Sequence, residues 1–72
     1  MAEHSIYKII ELVGTSKVSW EDAARAAVLA TAQTVRDLRV AEVKQFDLRV
    51  EDGNVVYRVK LDVSFKVEGH EV

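Results

Sequence analysis

The side chains that could do chemistry in this 72-residue chain are mostly carboxylates: Glu11, Glu42, Asp47, Glu51, Asp52, Asp62 and Glu68, with amides at Gln45 and Asn54. Hard oxygens of this kind suit calcium, which takes about six to eight of them. No linear calcium loop joins them, so a site would have to be assembled in three dimensions, between subunits if need be. Glu11, Glu42, Asp47 and Asp62 are the metal-ligand candidates, set against the plainer account of solvated charges and ion pairs. Nucleophiles and bases are scarce. His4 and His70 lie near the two ends, where order is lowest. Thr15, Ser16 and Ser19 surround a helix start, where capping explains them more simply than anion binding. Gly14 stands alone and makes no phosphate loop. These residues argue for a binding protein and against an enzyme.

Trp20 is the one tryptophan. At a helix start it can pack on the preceding turn, enter a subunit contact or stack on a ligand.

The elements that would position these groups are legible from periodicity. Val55, Tyr57, Val59, Leu61, Val63, Phe65 and Val67 alternate with a face that is polar apart from Val56. This predicts a strand buried on one side, thirteen residues long and spanning roughly 43 Å. A lone small domain cannot cover such a strand, so it implies assembly. On its polar face, Arg58 and Lys60 are expected to pair with Asp62 and Glu68, within or between subunits.

A first strand is expected over Ser5 to Val13, ending in a turn at Gly14-Thr15-Ser16. Adjacent apolar pairs at Ile9-Ile10 and Leu12-Val13 suggest partial cover on both its faces. Ser19 then caps a helix whose first turn carries Glu21 and Asp22. Its small-residue stripe Ala24, Ala27, Val28, Thr31, Val35 and Leu38 fits a 3.6-residue period and permits close approach to a sheet, and Arg36 would suit the helix end. From Val40 to Val50 the alternation changes phase at Lys44-Gln45, predicting a β-bulge. Asp52-Gly53 supplies a hairpin turn into the long strand. The fold class is α+β, in the order β-α-β-β and with the last pair antiparallel. Residues 1–72 form one domain with loose ends over 1–4 and 69–72.

A chain of this length buries only about 60% of its unfolded surface, and without cysteine it has neither disulfides nor thiolate metal sites. Oligomerisation is the remaining common support. The net charge of −2 with interspersed signs provides no basic stripe for nucleic acid. No apolar run reaches bilayer length and no signal peptide is visible, so no membrane partner is expected and the cytoplasm is the default compartment.

The run Tyr7-Lys8-Ile9-Ile10-Glu11-Leu12-Val13-Gly14-Thr15-Ser16, then Ser19 and the alanine-rich helix, Leu38, Glu42-Val43, Asp52-Gly53, Val63, Phe65 and Gly69, resembles the dodecins along nearly the whole chain. The resemblance implies a three-stranded antiparallel sheet partly wrapped around one helix, and twelve subunits forming a hollow sphere. It also implies flavins stacked near a two-fold axis between tryptophans of neighbouring subunits, with a glutamine of the last strand on the ring edge. Here Val40 stands at the tryptophan's place and Arg58 at the glutamine's, while Asp47-Leu48 replaces a frequent Arg-Gly. These departures argue against flavin; Trp20, at the helix start, cannot substitute. Ser19-Trp20-Glu21, Arg39-Val40-Ala41 and Tyr57 to Lys66 are more similar to the calcium dodecins, which lack the stacking tryptophan. The expected ligands are therefore calcium or another small molecule, held by a homo-oligomer. The alternatives are a rearranged flavin site with Arg58 as an anion contact, and a purely structural or partner-binding oligomer.

Overall fold

A computed structural model describes residues 4–68; the terminal segments read above as loose ends, with His70, lie almost wholly outside it. The elements are β1 (Ile6–Ser16), α1 (Trp20–Ala32), β2 (Leu38–Glu51) and β3 (Asn54–Glu68). They form one antiparallel sheet in the order β1-β3-β2, so the long alternating strand is the central one. The alternation of β3 is explained by that position. Val59, Leu61 and Val63 are buried under the helix beside Ala23, and the intervening residues face away. β1 runs three residues past its expected end, because Gly14, Thr15 and Ser16 continue the ladder opposite Val59, Arg58 and Tyr57.

The helix starts where capping predicts: the extended Ser19 accepts the Asp22 N–H on its hydroxyl at 3.0 Å. Ser16 tightens the same turn, donating to Asp22 Oδ2 at 2.7 Å and accepting the Val18 N–H at 2.9 Å. The other end is shorter than the periodicity suggested. Helix geometry stops at Ala32, so Val35, Arg36 and Leu38 lie beyond it and no basic residue occupies its last turn. Asp37 takes a left-handed conformation (φ 60°), which no helix accommodates, and turns the chain into β2. Leu38 still packs against the core.

Small residues let the helix lie close to the sheet. A Cβ on Gly14 would meet the Ala23 carbonyl oxygen at 2.5 Å.

The phase change in β2 is a bulge. Val43 pairs with Leu61 and Gln45 with Lys60, leaving Lys44 as the extra residue. The insertion keeps Ala41, Val43, Phe46, Leu48 and Val50 opposite the inward residues of β3, all on the helix side of the sheet. Asp52 and Gly53, with φ of 50° and 79°, form the hairpin turn.

One helix does not cover this sheet. The principal extents are 58 × 20 × 13 Å, and Phe46, Leu48 and Val50 remain exposed on the hairpin arm. On the opposite, outer face Ile9, Val13 and Val40 are each about 60% exposed, so the cover expected on both sides of β1 is not supplied within one copy.

Candidate functional site

The outer face is organised in rows, because residues directly opposite in an antiparallel ladder share a face. One row is Thr15, Arg58 and Asp47; the next is Val13, Lys60 and Gln45; then Glu11, Asp62 and Glu42; then Ile9, Ser64 and Val40. Strand alternation puts all of them opposite the helix.

Of the four metal candidates, Glu11, Asp62 and Glu42 therefore stand abreast on three strands, with backbones about 4.8 Å apart. Asp47 is two rows away. The oxygen donors have the right chemistry for calcium, yet among the described residues of one copy no three acidic or histidine side chains converge closely enough to hold an ion. Lysines approach the row instead: Lys60 Nζ lies 4.0 Å from Glu11 Oε2 and Lys44 Nζ 3.9 Å from Glu42 Oε2. Both contacts are exposed and at the outer limit of an ion pair.

Asp47 is engaged elsewhere. Its carboxylate takes two hydrogen bonds from Arg58, Nε to Oδ1 at 2.8 Å and Nη2 to Oδ2 at 3.2 Å. This bidentate pair, rather than one with Asp62, is what the register makes of Arg58. The Arg58 hydrogen bonds hold the Asp47 carboxyl below its ordinary value, opposed by burial and aided by the Arg58 charge, and the pair raises Arg58.

Trp20 reaches the same residue from the helix side. Its indole N–H donates to the Asp47 carbonyl at 3.0 Å. The ring lies 5.0 Å from that of Phe46 in a tilted arrangement and 5.2 Å from Tyr57 edge-on. Trp20 thus packs on the β2–β3 hairpin rather than on the preceding turn. Beside it a mainly apolar hollow of about 290 Å³ is lined by Trp20, Glu21, Ala24, Val43, Phe46 and Val59.

Val40 and Arg58 do not meet in one copy. Val40 is opposite Ser64, six positions from Arg58 along β3, or about 20 Å. A site using both positions needs side chains from two subunits.

The family model for dodecin matches residues 6–68. The chain belongs to the dodecin family. It is 48% identical over 64 residues to the calcium dodecin of Mycobacterium tuberculosis, covering 88% of this chain and 90% of that one. It is 39% identical to the dodecin of Thermus thermophilus over 88% of this chain and 93% of the relative. A crystal structure described as that of the calcium-chelating M. tuberculosis calcium dodecin, with a novel calcium-binding site, superposes with a TM-score of 0.82 at 45% identity, covering 94% of this chain and 99% of the other. The β-α-β-β dodecin fold is thus the fold of this chain. The Asp47–Arg58 pair was not foreseen from the sequence, although the Asp52-Gly53 turn carries the signal. Stepping back from the closing pair Glu51–Asn54, four residues on each side, reaches Asp47 opposite Arg58.

Proposed function

We propose that this dodecin is a non-catalytic small-ligand-binding protein that assembles as a hollow homododecamer in the cytoplasm, with calcium as its ligand and a disabled flavin position. The observation that carries the reading is the outer sheet face, where Glu11, Asp62 and Glu42 stand abreast beside an exposed Val40. An ion there draws its remaining oxygens from a neighbouring subunit and from water, since one copy brings no three donors together among the described residues. A similar relative that bears the name calcium dodecin supports the choice of ion. Assembly is supported by the apolar residues left exposed on both sheet faces.

At the flavin position a valine provides no aromatic platform, which removes on the order of 1 kcal/mol per stack beyond burial. Native mass spectrometry with and without a calcium chelator tests the reading. A dodecamer that takes up calcium, and loses it to the chelator, is the expected result. A monomer, or a dodecamer indifferent to calcium, refutes the corresponding half. Submicromolar stoichiometric quenching of riboflavin fluorescence would refute the disabled flavin position.

A further inference from the structure

Beside the Asp47–Arg58 pair the outer face has a shallow hollow of about 100 Å³, bordered by Val13, Gln45, Asp47, Arg58, Val59 and Lys60. Two cations and a primary amide around so small a volume form a donor set suited to a tetrahedral oxyanion. One group on the rim opposes it. The Asp47 carboxylate takes the Nε and Nη2 edge of Arg58 through two hydrogen bonds, cancelling the guanidinium charge at the mouth of the hollow. Asp47 is itself anchored from the other side of the sheet, because its carbonyl accepts the Trp20 indole N–H. The Asp47 carboxylate is 41% exposed, but Arg58 holds both of its oxygens, so an arriving anion has to displace two charge-assisted hydrogen bonds.

We propose that Asp47 is a specificity-determining residue which closes the Arg58 hollow to phosphate-like and carboxylate-bearing ligands. The proposal rests on the reading above only in taking the outer face around Arg58 as ligand-facing. It deepens that reading by assigning the exclusion of anions to a named side chain. Discrimination of this kind, by occupying the cation from within, is a repulsive device and needs no contact with the favoured ligand. Lys60, whose Nζ lies 4.0 Å from Glu11 Oε2, keeps donors that can turn toward the hollow once the carboxylate is gone.

The test uses the assembled protein, inorganic phosphate as probe, and calorimetry for affinity. Asp47→Asn is expected to bind phosphate at least tenfold more tightly than the wild type, and the double change Asp47→Asn with Arg58→Gln to return to the wild-type value. Equal affinity in wild type and Asp47→Asn, or a gain that persists in the double variant, overturns the proposal. The wild type supplies a second arm in case Asp47→Asn does not fold. Its Arg58 Nε–H resonance is expected to stay unmoved by phosphate up to 100 mM, on the order of physiological salt, and a saturable shift below that overturns the proposal. Neither arm depends on calcium uptake, so failure of the calcium reading would leave this comparison intact.

Discussion

Trp20 and Asp47 join the helix to the far strand: the indole N–H of one donates to the main-chain carbonyl of the other at 3.0 Å, although 27 residues separate them. The bond spans the sheet between its helix side, where the Trp20 ring packs on Phe46 and Tyr57, and its outer side, where the Asp47 carboxylate holds Arg58.

That link predicts a graded response at Trp20. Trp20→Phe removes a hydrogen bond and leaves most of the ring contact, costing about 1 kcal/mol. Trp20→Ala also removes the aromatic packing and is expected to cost about 3 kcal/mol. Urea denaturation of both variants checks the order, and equal losses would mean that the hydrogen bond, not the ring, dominates.

Gly14→Ala is expected to be among the most damaging small changes in the chain. The new methyl would sit 2.5 Å from the Ala23 carbonyl oxygen and 3.0 Å from the Ala27 Cβ, so the helix would have to lift from the sheet. A loss of about 2 kcal/mol or more follows, read as a drop in thermal midpoint. A neighbouring control, Thr15→Ala, lies on the exposed face and should move it far less.

The Asp47–Arg58 pair gives a signed dependence on pH. Arg58 stabilises the ionised carboxyl, so the Asp47 value is lowered in the folded state. The contribution is therefore complete above the ordinary carboxylate value and disappears as pH falls through the lower folded one. Wild type and Asp47→Asn are expected to differ most in stability near neutrality and to converge as pH falls through the lowered folded value. Denaturation curves across that range check it, and a gap that widened on acidification would contradict the pairing.

Supplying an aromatic platform at position 40 is expected to raise flavin affinity. Val40→Trp supplies a ring at an exposed position of β2, and is expected to tighten riboflavin binding on the order of tenfold for each stack formed. Fluorescence quenching measures it. Adding Arg58→Gln should increase the gain only if position 58 of a second subunit reaches the same ligand.

Much of this fold could be read from residue order because its signals are local. The alternation from Val55 to Val67, the Ser19 cap and the Asp52-Gly53 turn each specify their own geometry. The phase change at Lys44-Gln45 also reads correctly, since a bulge is the only way to keep Val43 and Phe46 on one face of a continuous strand. The end of the helix did not, because Val35 and Leu38 happen to keep the helical spacing while the chain already turns through Asp37. The partners of Arg58 and Trp20 are set by cross-strand register and by helix placement, which no local window contains. Proximity along β3 suggested Asp62 for Arg58, yet the two are four residues apart on one face of the strand, about 13 Å, whereas Asp47 lies directly opposite.

The extra residue at Lys44 divides the hairpin into two lengths with independent phase. Removing it would rotate everything from Gln45 to the turn by half a pleat relative to the helix side, sending Phe46, Leu48 and Val50 to the outer surface and drawing Asp47 inward. A deletion of one codon there would thus exchange the chemical character of two surfaces at once. In comparing such chains, a gap at this point says more about what each face of the sheet presents than many substitutions elsewhere.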